Sequence, residues 1–208
     1  MKLPHNRERV AALRTPTVED PWRILMSGCL FGLPCGVYGD DYGLSGHQPT
    51  WLTDQRVSLI PFCPEAYEMG VPRGMPDLHG GDGEAVLDGT ARMLDEHGND
   101  LTDQMIAGAE AMVAVAKAHQ VDFALLIDRS GACGSQVISI GCRFEEPVVY
   151  QKGSGVAAAL LLRNGIDVVS QRDFYTLGLL GARLDPSYGP APEAKDHHEH
   201  PWVLANLP

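Results

Sequence analysis

Apolar residues fall along the chain in two recurring forms. The short runs Arg23–Ser27, Val57–Phe62, Phe123–Ile127 and Ile166–Ser170 have the length of strands. Phe123–Ile127 is apolar throughout, as a strand buried on both faces requires. Elsewhere the apolar positions are spaced three and four apart. Met105, Ile106, Ala109, Met112, Val113 and Ala116 predict a helix from about Thr102 to His119, capped by Asp100 or Thr102. Further helices are expected at Ser154–Asn164, closed by Gly165, and near Phe174–Leu180. A short one around Arg7–Arg14 should stop before Pro16. Weaker patterns suggest a hairpin at Val86–Leu94 and a strand at Gln136–Ile140.

Strands alternating with helices predict an α/β fold: a mainly parallel, Rossmann-like sheet flanked by helices, with long irregular loops carrying the site. The Gly- and Pro-rich stretches at Gly28–Thr50 and 63–100 are those loops. The expected organisation is an N-terminal extension at 1–20, a single α/β domain at 21–183 and a loosely held, Pro- and His-rich tail at 184–208.

Charge narrows the partners. A formal net charge of −11 over 208 residues lacks the basic footprint that a phosphate backbone demands, so no DNA partner is expected. There is no apolar stretch of about 20 residues for a membrane span, and the first residues lack the apolar core of a signal peptide. The expectation is a cytoplasmic protein that handles a small molecule without a membrane partner, with a homodimer allowed. Five cysteines in such a chain favour metal or catalytic use over a disulfide framework.

Cys29, Cys63 and Cys133 each follow a predicted strand and sit among Gly or Pro residues. Parallel neighbouring strands would deliver all three thiols to one sheet edge, where open α/β folds bind ligands. A single cysteine is as readily a small buried hydrophobe; three at strand ends favour a site. Soft thiolates select zinc, Cu(I) or iron–sulfur clusters. Paired Cys-x₂₋₄-Cys knuckles of structural zinc are missing, so scattered ligands point to a cluster with one position open. Cys35 could be a fourth ligand, a support or a redox partner, and Cys142 reads as structural. Glu65 in Cys63-Pro64-Glu65 could move protons beside such a site, against a solvated loop acid or a helix N-terminal acid as the plainer readings. Ser130 could hold a substrate atom or a water, against an ordinary turn serine. Arg73 and Asp77, with the Gly80–Gly83 turn, could shape the pocket wall, against a surface loop as the reading favoured by spacing alone. His197, His198 and His200 resemble a metal-binding tract, but a terminal tail favours solvated side chains.

The segments Ser27-Gly28-Cys29-Leu30-Phe31-Gly32-Leu33-Pro34-Cys35, Cys63-Pro64-Glu65, Pro72-Arg73, Gly80-Gly81-Asp82-Gly83, Asp100-Leu101-Thr102 with Gly108-Ala109, and Ser130-Gly131-Ala132-Cys133-Gly134 together resemble the bacterial thiouracil desulfidase family. The resemblance spans about residues 23–180 and departs at Gly36-Val37-Tyr38-Gly39 and Gly131-Ala132. It implies a [4Fe-4S] cluster on Cys29, Cys63 and Cys133, with Cys35 outside the ligand set. It further implies that the fourth iron takes sulfur from a thiolated base, with Glu65 and Ser130 as catalytic residues. The expected reaction is a non-redox desulfuration of the 2-thiouracil to uracil type that releases hydrogen sulfide. Two rivals stand beside it: an Fe–S or zinc-binding sensor without turnover, and a Cys29–Cys35 redox dithiol.

Overall fold

The computed structural model describes residues 7–41 and 48–207. Part of the predicted Gly28–Thr50 loop (residues 42–47) and the first six residues of the predicted extension lie outside the described residues. The helices are α1 (Arg7–Ala11), α2 (Gly28–Phe31), α3 (Pro64–Met69), α4 (Gly83–Leu87), α5 (Thr102–Ala118), α6 (Val156–Arg163), α7 (Phe174–Ala182) and α8 (Pro201–Asn206). The strands are β1 (Trp22–Ser27), β2 (Val57–Phe62), β3 (Asp77–His79), β4 (Arg92–Leu94), β5 (Phe123–Leu126), β6 (Val137–Ile140), β7 (Val149–Lys152) and β8 (Val168–Ser170).

Four strands form the central sheet in the order β2-β1-β5-β8, all parallel. The expected α/β fold is therefore present. Both faces are covered, and the alternation of each strand feeds two cores. Leu25, Ala124 and Leu126 pack with Met105, Ala109 and Met112 of α5 and Val156 and Leu161 of α6. Ile24, Met26, Phe123 and Leu125 pack on the other side with Trp22, Trp51, Leu177, Leu180 and Val10. Each fully buried aliphatic or aromatic side chain is worth about 1.5–3 kcal/mol, so these two layers dominate stability.

The strand order reverses beside β1: the chain runs from β1 out to β2, then returns to place β5 on the other side. Register holds the strand ends level there, with Ser27 opposite Phe62 and Met26 opposite Leu125. A crevice opens at such a switch point, at the carboxyl ends of the strands.

Two antiparallel pairs, β3–β4 and β6–β7, flank the sheet. The first corrects the expected Val86–Leu94 hairpin. Asp82 caps Gly83–Leu87 by accepting from the Ala85 N–H at 3.1 Å, which makes its first half helical. Its second half, β4, pairs with the upstream β3 instead. At α5, Leu101 occupies the cap position, and Asp100 Oδ1 accepts from the Thr102 N–H at 2.9 Å.

The tail also differs from expectation: it is held. Val203 is buried against Val137 and Tyr150. Arg7 bridges to Asp196 and Glu199, at 2.5 and 2.7 Å. At the other end of the chain, Arg14 bonds Asp122 at 3.0 Å. Polar residues of both termini find partners far away in sequence, which is why their composition alone suggested looseness.

Candidate functional site

At the switch point lies a cavity of about 110 Å³, walled by Cys29, Cys35, Cys63 and Cys133 and by Glu65, Arg73, Asp128, Ser130 and Arg143, with apolar patches from Phe62, Met75 and Ile127. All five residues singled out as ligands or catalytic groups line it.

Each thiol is delivered by a strand end. Cys29 stands in the one-turn α2 that follows β1 directly, and left-handed Gly32 turns the chain back to bring Cys35 alongside. Cys63 is the N-cap of α3, where its sulfur accepts from the Ala66 N–H at 3.4 Å and Pro64 occupies the first helical position. Cys133 belongs to the loop after β5. There the Ser130 hydroxyl oxygen accepts from the Ala132 and Cys133 N–H groups at 3.2 and 3.1 Å. That leaves its own O–H free to donate into the cavity. Gly155 lets α6 abut this loop: a Cβ there would stand 2.5 Å from the carbonyl of Ala132.

Crowding and burial raise Cys35, Cys63 and Cys133. Contact with Cys29 pushes Cys35 up to about 11, opposed by a hydrogen bond with Cys63 and reinforced by burial. Cys63 is raised by Cys35, by burial and by the charge of Glu65. Cys133 is raised by burial, against a hydrogen bond to Ser27. Thiolates packed this closely repel one another, and a bound cationic centre inverts that balance and deprotonates its ligands. Soft sulfur donors gathered on one cavity wall suit an iron–sulfur group.

Glu65 and Arg73 form a buried pair at 2.7 Å, with side chains 13% and 4% exposed. The same guanidinium donates to the Cys35 carbonyl at 2.9 Å, tying the acid to the cysteine loop. Asp77 is buried beneath the Arg143 guanidinium. The surface-loop reading of Arg73 and Asp77 is thus corrected: both are buried, because each neutralises a charge brought from elsewhere.

Three charged wall residues escaped the sequence reading. Asp128, Arg129 and Arg143 line the cavity, and Asp128-Arg129, charges placed immediately after a fully apolar strand, was the available signal. Asp128 Oδ1 accepts from the backbone N–H groups of Ser135, Gln136 and Val137 at 3.0, 3.3 and 3.2 Å. Its Oδ2 accepts from the Ser170 hydroxyl at 3.1 Å and contacts His197 Nδ1. Burial alone would raise this carboxyl, but the His197 bond and the backbone donors outweigh it and hold it below the ordinary range. His197, expected to be solvated, is therefore a buried partner only 4% exposed. Arg129 adopts a left-handed backbone, φ 63°, at a cost of about 1–3 kcal/mol. A separate cluster joins His198 to Asp173 and Asp196, with ligand atoms within 4.8 Å. Those carboxylates already accept from Gln136, Arg7 and Thr176.

Comparison with known proteins agrees with the sequence resemblance. The protein YbbK of Bacillus subtilis (strain 168), described as uncharacterized, is 33% identical over 151 residues, covering 72% of this chain and 96% of its own length. A solved structure, that of the [4Fe-4S]-dependent thiouracil desulfidase TudS, shares 34% identity at a TM-score of 0.56. That match covers 72% of this chain and 90% of TudS. A family model described as 2-thiouracil desulfurase matches residues 24–173, which hold the central sheet but for the first two residues of β1, and all the cavity cysteines. The chain belongs to the 2-thiouracil desulfurase family.

Proposed function

We propose that the protein is a [4Fe-4S]-dependent desulfidase that replaces the sulfur of a thiolated nucleobase, or a similar thiocarbonyl compound, with oxygen. The observation that carries this reading is the meeting of Cys29, Cys63, Cys133, Glu65 and Ser130 in one cavity. The reaction balances without electron transfer: a thiocarbonyl and water become a carbonyl and hydrogen sulfide. The three cysteines would hold the cluster, and Cys35 would support their loop. When bound, the cluster supplies a Lewis-acidic iron with affinity for sulfur.

The remaining chemistry falls to the chain. Phe62, Met75 and Ile127 give the flat base an apolar seat and exclude bulk water. Arg73 engages Glu65 Oε2 and fixes its orientation. Oε1 then takes a proton from the water that adds to the thiocarbonyl carbon and returns it to the departing sulfur. The Ser130 O–H donates to the substrate and sets its angle. The cluster-binding unit in this reading is the 21–183 domain, flanked by its extensions. A cytoplasmic location, no DNA or membrane partner and an optional homodimer go with it. Among the described residues no helix is long and apolar enough to cross a membrane.

Anaerobic reconstitution followed by incubation with 2-thiouracil tests the reading, with uracil and sulfide expected in equal amounts. A loaded protein that binds 2-thiouracil but releases neither would favour the sensor; turnover that survives loss of Cys63 would favour the Cys29–Cys35 dithiol.

A further inference from the structure

The family match ends at residue 173, yet the cavity wall is gripped by residues beyond it. Asp128 and Arg129 are consecutive wall residues in the loop that goes on to Ser130 and Cys133. Asp128 Oδ2 is met by His197 Nδ1. Because the Asp128 carboxylate is ionised and acceptor-only, that nitrogen donates. The Arg129 guanidinium lies 5.0 Å from the Tyr150 ring centre and 5.4 Å from that of Trp202, and the two rings meet edge to face at 5.9 Å. His197 and Trp202 both belong to the segment after α7.

That segment is itself fastened. Arg7 bonds Asp196 and Glu199 on either side of the histidines. Asp173 accepts from the His197 N–H at 3.0 Å, and Gln136 Oε1 accepts from the His198 N–H at 2.8 Å. A left-handed non-glycine residue such as Arg129 persists only where its surroundings over-determine it. Here the surroundings are β6, where the Val137 carbonyl accepts from the Arg129 N–H at 2.9 Å, together with β7 and the C-terminal strap.

We infer that His197 is a positioning residue. Through Asp128, and with Trp202 acting through Arg129, the C-terminal strap holds loop 128–133 in the conformation that sets Ser130 and Cys133 on the cavity wall. The inference rests on reading that cavity as the active site. It makes the strap a part of the site that the family-matched core does not contain.

Iodoacetamide labelling of the cluster-free protein, read cysteine by cysteine by mass spectrometry, tests it without turnover. His197→Ala should speed labelling of Cys133 about tenfold relative to Cys29, which stands on α2 outside the loop. His197→Asn, whose amide can donate from the place of Nδ1, should restore the ratio to within about threefold of the parent protein. Trp202 is 37% exposed, so Trp202→Ala tests the same point should the alanine at 197 prevent folding. It should raise the Cys133 ratio and, in the loaded enzyme, raise KM for 2-thiouracil about fivefold with a smaller change in kcat. Cys133 and Cys29 speeding up in parallel would mark general loosening and overturn the inference, as would an unchanged ratio in both variants. Selective labelling of Cys133 in a protein whose parent form shows no desulfuration would uphold the strap and sink the proposed function.

Discussion

Glu65 shows how one side chain combines fold and chemistry. Its backbone lies in the first turn of α3, immediately after the Cys63 cap, so the step that places a thiol also places an acid. Glu65→Gln keeps size and a hydrogen bond to Arg73 but removes the proton acceptor. Iron and sulfide content should stay at the parent level while turnover falls about 10²–10⁴-fold, the usual weight of a positioned acid–base group. Full turnover in that variant would remove Glu65 from the mechanism. Arg73 is the complementary case. Arg73→Met leaves the Glu65 carboxylate buried without its cation, and breaking such a pair costs about 3–5 kcal/mol. Urea unfolding of the cluster-free protein measures it; a cost near zero would show that solvent already screens the pair.

At the scale of elements, close approach and long-range pairing shape the site more than local propensity does. The step from Gly155 into α6 touches the Cys133 loop at its backbone, so Gly155→Ala must displace one or the other. Overpacking of this kind costs about 1–3 kcal/mol, and reconstituted iron should fall because Cys133 moves with the loop; unchanged iron content would contradict the contact. The strap carries a pH dependence. The Arg7 guanidinium holds the Glu199 carboxyl down at about 2, well below its usual 4.5. A depressed carboxyl contributes stability that is present above the ordinary value and lost as pH falls through the folded one. Trp202 fluorescence should therefore report strap release between about pH 4.5 and 2, and Glu199→Gln should abolish that step. Persistence of the step in the glutamine variant would assign it elsewhere.

The same distinction explains what could be read from the chain. The strand at 123–126 was legible because a strand buried on both faces is a bare apolar run; those at 22–27 and 57–62, the second a partly buried edge strand, were legible as short, largely apolar runs, and the cysteines because they end those runs. Helix α5 announced itself by spacing. Asp128 carried only the faint signal of a charge just past an apolar strand, and His197 carried none, because nothing local marks a histidine in a polar tail as the partner of a buried carboxylate. The 86–94 hairpin failed for a related reason: capping at Asp82 and pairing with β3 are choices that an alternating pattern does not record.

Considered whole, the molecule is a four-stranded parallel sheet that brings four thiols to the reversal of its strand order, with its C-terminal strap packed against Asp128 and Arg129 of the loop that carries Ser130 and Cys133. An acidic exterior and a sulfur-lined interior suit a small neutral substrate. Iron and acid-labile sulfide counted per chain after oxygen-free reconstitution, for the parent protein and for alanine at each cysteine in turn, test the central claim most directly. The account predicts about four of each in the parent and in Cys142→Ala, with loss in Cys29→Ala, Cys63→Ala and Cys133→Ala. A colourless, iron-poor parent, or a Cys133→Ala protein that loads as fully as the parent, would contradict it.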